Sequence, residues 1–305
     1  MLKYALKRFG LAVLTIFLII TITFFAMFAI PASPFHLTDR AKTDAVLAAL
    51  NAKYGFDRPV ILQFFTYIKN ILHFDFGLST GWKGMTVSEL MQGGLEYSLR
   101  VGFSAALIAI ILGVFFGSVS ALNRGRWIDR FLQIITTATV SLPAFVLSLL
   151  LLYTFGLKLR WVTTLGSKPG GLIMPIIAAS LFPMAYITRM SRSSMLDVLG
   201  QDYIRTAKSK GLIEGKVIFK HALKNALSPV ITYCGPMIAG IMVNSMVIEN
   251  TFSVPGLGRL YVNSMLRMDY FMVMGITILL AVLIVIMNFI ADLLYKVVDP
   301  KVSFR

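Results

Sequence analysis

Residues 271–294 read FMVMGITILLAVLIVIMNFIADLL, a run in which Asp292, near its end, is the lone ionisable side chain. About twenty residues of this kind, rising 1.5 Å each along a helix, cross the roughly 30 Å hydrocarbon layer of a bilayer. The run therefore predicts a transmembrane helix. Five further blocks share its character, at 9–30, 99–121, 131–154, 172–190 and 229–249. The expected fold class is all-α integral membrane protein with six transmembrane helices. Composition agrees: of 305 residues 57% are hydrophobic and 14% charged, against roughly 25% charged in an average soluble domain, and the mean hydropathy is +0.78. Lys3, Lys7 and Arg8 precede the first block as they would a signal peptide. That block outruns a signal peptide's apolar core of roughly 7–15 residues and reads as a retained helix. Pro143, Pro175, Pro183 and Pro236 fall within the third to fifth blocks. They are expected to kink their helices rather than break them, because neighbouring groups in a bundle can satisfy the freed carbonyls.

Basic residues near helix ends orient such a chain. With the N-terminus inside, the inner segments carry Lys3, Lys7 and Arg8; Arg124, Arg126 and Arg130; eight Lys or Arg between Arg189 and Lys224; and Lys296, Lys301 and Arg305. The short outer loops carry only Lys158, Arg160, Lys168, Arg259 and Arg267. Both termini are expected to be cytoplasmic. The long outer segment 31–98 escapes this rule because of its length. Pro31, Pro34, an amphipathic stretch at Asp44–Tyr54, and Trp82 among glycines suggest short helices and turns there. It serves either as a cap over the bundle or as a contact for substrate or a partner. The expected divisions are 1–94 for the first helix and outer segment, 95–294 for the remaining helices with a loop at 191–228, and 295–305 for a cytoplasmic tail.

Several chemistries lack their residues. The net charge of +15 fits an anionic lipid surface better than nucleic acid in so apolar a chain. A single cysteine, Cys234, makes no internal disulfide or cysteine zinc site. Neither H-E-x-x-H nor G-x-S-x-G occurs, and His36, His73 and His221 are scattered, which argues against intramembrane hydrolysis. Ion-coupled carriers place ionisable groups deep in the bilayer. Here the deep positions hold Thr136, Thr137, Thr139, Ser141 and Asn244, with Glu249 nearer a helix end. No Walker A sequence is present, so the phosphate cradle for ATP is not encoded in this chain.

The loop between the fourth and fifth blocks is the informative one. It contains QDYIRTAKSKGL at 201–212. Asp202 near a helix N-terminus, with Lys208 and Lys210 ahead of Gly211, predicts a short helix that stops at the glycine. A second helix is expected from about Ile213 to Leu227. Ile204, Ala207, Leu212, Val217, Ile218 and Leu223 give this basic segment an apolar side. Physics alone leaves two readings open, a helix lying on anionic lipid and a docking surface for a protein. On the second block, Gly113 and Gly117 form a G-x-x-x-G, the pattern of a helix packing surface.

The stretch 202–230, from YIRTAKSKGL through HALKNALSPV, resembles the ATPase-coupling loop of bacterial ABC importer permeases, in the form found in the oligopeptide and dipeptide (OppB/DppB-like) family. SMVIENTF at 245–252 with Pro255-Gly256-Leu257-Gly258 resembles that family's outer loop. Asp269-Tyr270, Asp299-Pro300-Lys301, Ser33-Pro34-Phe35 and Asp75-Phe76-Gly77 match as well, and the likeness points to the B-type subunit of oligopeptide permeases. The general permease pattern is E-A-A, three residues, G, nine residues, then I-x-L-P. Aligned on Gly211, this chain has Arg205-Thr206-Ala207, and only Ala207, Gly211 and Leu223 agree with the broad form.

The resemblance implies a type I ABC importer permease fold in a bacterial inner or plasma membrane, and a transport subunit that is not itself an enzyme. It implies coupling contacts at Tyr203, Arg205, Thr206, Ala207, Lys208, Lys210, Gly211, Leu212, His221 and Asn225, with small Ala207 and Gly211 permitting close approach. Asn244, Ser245 and Glu249 are candidates to line the path, with helix packing as their other reading. Pro255, Gly256 and Gly258 would belong to the outer loop. The implied partners are a second homologous permease, two cytoplasmic ATPases that carry ATP and Mg, and an extracytoplasmic peptide-binding protein. This chain itself would bind no cofactor, metal or nucleic acid, and would contact membrane lipid. Dipeptides, nickel chelates or sugars are alternative cargoes, and a stand-alone carrier or channel is the rival class.

Overall fold

The computed structural model describes residues 2–29, 58–82 and 84–298, with side chains placed over 6–290 of that range. The expected amphipathic stretch at 44–54 and the motifs at 33–35 and 299–301 lie outside the described residues. The elements are α1 (Leu2–Phe28), α2 (Val60–Leu72), α3 (Val87–Leu122), α4 (Trp127–Ser141), α5 (Ala144–Leu151) running into a π-helical turn (Leu152–Lys158), α6 (Ile173–Leu199) and α7 (Asp202–Ser209). After these come α8 (Glu214–Lys216), a second π-helical turn (Val217–Leu223), α9 (Lys224–Ala226), α10 (Ser228–Thr251), α11 (Leu257–Leu266) and α12 (Tyr270–Val298). Among the described residues five helices are long and apolar enough to cross a membrane, and α4 with the helix 144–158 makes a sixth span if that bent pair counts as one.

That pair corrects the expectation for Pro143. The two helices meet at 108°, which is a break and not a kink. Proline crowds the residue before it out of the helical region, and Leu142 is extended at φ −91°, ψ 135°. Pro143 is extended too, at ψ 140°. Its carbonyl then accepts from the amides of Val146 and Leu147 and starts a new helix. Pro183 and Pro236 do sit within continuous helices. Pro175 falls in the first turn of α6, where no amide donor is required.

The chain forms two compact units, one from 1–98 with 255–285 and the other from 99–254 with 286–305. In the first, Phe24 of α1 lies among Phe64, Tyr67 and Phe28, at ring separations of 4.7 to 5.7 Å. Most of α1 is otherwise exposed, as Phe9, Leu14 and Ile22 illustrate, and an apolar exposed helix suits lipid contact. Helix α3 starts well before the apolar block at 99. Thr86 and Glu89 form a reciprocal cap, the Thr86 amide donating to the Glu89 carboxylate at 3.0 Å and the Glu89 amide to the Thr86 hydroxyl at 3.2 Å, the two-way bond of a capping box.

In the second unit, the G-x-x-x-G of α3 packs on α6. A Cβ at Gly113 would come within 2.7 Å of Ile187, and one at Gly117 within 2.5 Å of the Ser191 side chain and 2.6 Å of the Thr188 carbonyl oxygen. The two backbones approach as only glycine allows. Nearby, Asp129 of α4 is buried and paired with Arg192 of α6 at 2.7 Å.

Candidate functional site

The second unit carries two distinctive surface features. The first is the loop segment. Helix α7 ends in a left-handed glycine: Gly211 has φ +73°, its amide donates to the Lys208 carbonyl at 2.9 Å, and the Leu212 amide donates to the Ala207 carbonyl at 3.4 Å. These paired bonds make a Schellman cap, whose usual companion is an apolar contact by the residue after the glycine. Leu212 supplies it, packing on a cluster of Ala121, Met195, Ile204, Ala207, Val217, Ala222 and Ala226. The apolar side read from the sequence is thus covered by the chain itself.

What remains outward on α7 is mainly polar and basic. Tyr203, Arg205, Thr206, Lys208, Lys210 and Gly211 are exposed, while Ala207 is buried. A Cβ at Gly211 would meet nothing within 4 Å, so inside this chain the glycine answers to its backbone conformation and not to crowding. Asn225 donates to the Tyr203 hydroxyl at 3.0 Å and to the His221 carbonyl at 3.2 Å, tying α7 to the returning helix. That helix is π-wound over Val217–Leu223, a feature frequent at functional sites. Ile213 and Phe219, 80% and 73% exposed, stand on the same segment and were missed by sequence reasoning. Spacing gave no signal for them, since Ile213 stands four residues before buried Val217 and Phe219 three before buried Ala222, separations that share a face in an α-helix, and the π-helical winding changes that phase.

The second feature is a groove of about 470 Å³ walled by the α4–α5 break, α6 and α10. Val140 to Ala144 contribute the break, Ala178, Ala179, Phe182 and Pro183 contribute α6, and Gly240, Ile241, Asn244 and Ile248 are among those from α10. No ionisable acid or base other than the Tyr233 phenol is among the described residues that line it. The Tyr233 ring lies against that of Tyr186, with centroids 4.6 Å apart and planes tilted by 35°. The three path candidates separate here. Asn244 is exposed on the groove, whereas Ser245 is buried with its hydroxyl donating to the Met242 carbonyl at 2.9 Å, and Glu249 is fully buried. Helical geometry explains the split, because i and i+4 share a face while i+1 lies about 100° around.

In the first unit several of the remaining motif residues are hydrogen-bonded and closely packed. The buried Asp269 carboxylate accepts the Ser79 hydroxyl, the Gly81 amide at 3.0 Å and the Met272 amide at 3.2 Å. Gly77 has φ +92°, where an L side chain is strained, and a Cβ there would lie 3.2 Å from the Phe271 ring; its amide donates to Asp75 at 2.9 Å. Arg267 donates to the Gly81 carbonyl at 2.8 Å and lies 4.7 Å from the Trp82 ring centroid. Gly256 and Gly258 are buried and Pro255 is half-buried. A Cβ at Gly94 would fall 3.2 Å from the Gly256 carbonyl carbon, and the Leu257 amide donates to the Ser98 hydroxyl at 2.8 Å.

The model of the binding-protein-dependent transport system inner membrane component family matches residues 109–304, and that of its N-terminal region matches 1–80. The chain belongs to this family. The permease is 42% identical over 308 residues to the oligopeptide transport system permease protein OppB of Salmonella typhimurium, covering 100% of both chains. It is 40% identical to the dipeptide transport system permease protein DppB of Bacillus subtilis, covering 100% of this chain and 99% of that one. Among solved structures, a chain of the MetNI methionine ABC transporter in inward-facing conformations superposes with a TM-score of 0.59 at 18% identity, over 69% of this chain and 96% of that one. The six-span, all-α expectation thus has the fold of ABC transporter membrane chains, and the resemblance read from the loop is matched along the full length.

Proposed function

We propose that this permease forms one half of the translocation path of an ATP-driven importer of oligopeptides. A homologous permease would supply the other half, two cytoplasmic ATPases would carry ATP and Mg, and an extracytoplasmic binding protein would deliver the peptide. The carrying observation is the exposed basic helix α7, capped at Gly211 and rooted through Ile204, Ala207 and Leu212 in a cluster that includes Met195 of α6. A helix seated in that way transmits a push on its outer face to the helix that walls the groove. The Lys and Arg distribution supports placing α7 and both termini in the cytoplasm.

In this reading the ATPases grip Tyr203, Arg205, Thr206, Lys208, Lys210 and Gly211, with Ile213 and Phe219 as apolar contacts. Their closure on ATP displaces α7 and turns the groove from one side of the membrane to the other, a shift between two packings of the same helices. A groove without fixed charge suits cargo whose side chains vary in charge, because it neither traps nor repels any one of them. Ser245 and Glu249 then hold α10 in place, and Asn244 is the candidate that meets peptide. Dipeptide cargo is the second reading, favoured by the nearly equal identity to the dipeptide permease of Bacillus subtilis.

Reconstitution tests this. Vesicles holding both permeases, the ATPases and the binding protein should take up peptide only with ATP. Uptake by this chain alone, without ATPases, would establish the carrier class instead.

A further inference from the structure

The pair of buried Asp129 and half-buried Arg192 has no place in the reading above, yet it gathers an unusual number of hydrogen bonds. One carboxylate collects five donors: Arg192 Nε and Nη2 at 2.7 and 2.9 Å, the Ser120 hydroxyl at 2.6 Å, the Gly125 amide at 2.9 Å and Gln133 Nε2 at 3.2 Å. The Asp129 side chain is 3% exposed and that of Arg192 22%. The donors come from α3, the turn after it, α4 and α6. Burying such a pair is seldom the most stable solution, since apolar side chains of similar volume do as well or better. What the fork adds is direction: two parallel bonds fix orientation as well as distance, where greasy surfaces can slide.

Its position is informative too. Ser120 adjoins Ala121, and Arg192 lies one helical turn before Met195, and both apolar neighbours belong to the cluster that seats α7. At 1.5 Å per residue, Phe182 is about 15 Å up α6 from Arg192, and Ser141 about 18 Å up α4 from Asp129. Both of those residues wall the groove. The pair therefore joins, at the loop end, the two helices whose far ends shape the groove.

We propose that Asp129 and Arg192 are a positioning pair that makes α4 and α6 turn as one body, so that displacement of α7 reaches both walls of the groove. This rests on the reading of α7 as the ATPase contact. A structural filler would be replaceable by apolar residues without functional loss, and a directional lock would not.

The test uses the complete transporter in vesicles and reads peptide imported per ATP hydrolysed. Asp129→Leu combined with Arg192→Met should leave assembly and ATP hydrolysis in place while that ratio falls between about 2- and 30-fold, the range for residues that couple distant sites. A wild-type ratio in the double variant would overturn the proposal. Should that variant fail to assemble, Arg192→Lys decides, because it keeps the charge and loses the fork. A reduced ratio with hydrolysis intact is expected, and an unchanged ratio would overturn it. If instead the wild-type complex shows no ATP-dependent uptake, the underlying reading of α7 fails, and the pair is not what failed.

Discussion

The loop segment and the groove belong to one compact unit and are opposite in chemistry. Helix α7 shows Arg205, Lys208 and Lys210 on its outside and hides Ile204 and Ala207 beneath. The groove shows Phe182, Pro143, Pro236 and Ile241 with Asn244, and no fixed charge among the described residues of its lining. A surface that must find one partner and hold it benefits from charge and a fixed shape. A surface that must let many ligands through benefits from having little of either. Under the proposed function, the difference places specificity toward the engine and not toward the cargo.

That contrast breaks most visibly at Gly211. A β-branched residue at φ +73° costs about 1–2 kcal/mol of backbone strain, which displaces α7 from its seat. Gly211→Val should insert normally, keep ATP hydrolysis and lose uptake by roughly 5- to 30-fold on the scale of tenfold per 1.4 kcal/mol. Uptake and hydrolysis measured on the same vesicles check it. The groove is challenged next by giving it a charge. Gly240 has open space where a Cβ would stand, so Gly240→Asp should fold. A unit charge about 8 Å from a charged peptide side chain, at an effective dielectric of about 40, contributes roughly 1 kcal/mol. Relative to the wild type, uptake of basic peptides should then rise about fivefold and that of acidic peptides fall about fivefold.

Smaller effects sharpen the comparison. Lys208→Ala removes one exposed charge, and exposed pairs contribute about 0.2–1 kcal/mol each. Binding of the ATPases should weaken about twofold by titration, with the difference vanishing at high salt. Thr86→Ala removes the cap of α3 in the other unit. It should lower thermal stability by about 1 kcal/mol and leave peptide imported per ATP unchanged, which separates stability from coupling.

How much of this was legible in the sequence depended on how local the cause was. The spans were legible because each apolar block decides its own fate in a bilayer. The stop at Gly211 was legible because a C-cap involves only a few neighbouring residues. Pro143 was read as a kink, since nothing in the local sequence separates a kink from a 108° turn; the outcome turns on what surrounds Leu142. The early start of α3 was written in Thr86-x-x-Glu89 and passed over. The partner of Asp129 lies 63 positions away, and no short pattern announces such a pair. The split of Asn244 from Ser245 and Glu249 follows from helix phase once one groove-facing position is known, and the sequence alone does not say which position that is.

The most direct measurement places a single reactive thiol on α7. In a Cys234→Ala background, Lys210→Cys should react with a membrane-impermeant maleimide only from the cytoplasmic face. In the assembled transporter it should crosslink to an ATPase subunit, with a yield that changes when ATP binds. Labelling from outside intact cells, or a residue that touches only lipid while peptide is being imported, would contradict the assignment of α7 as the point where the engine holds the permease.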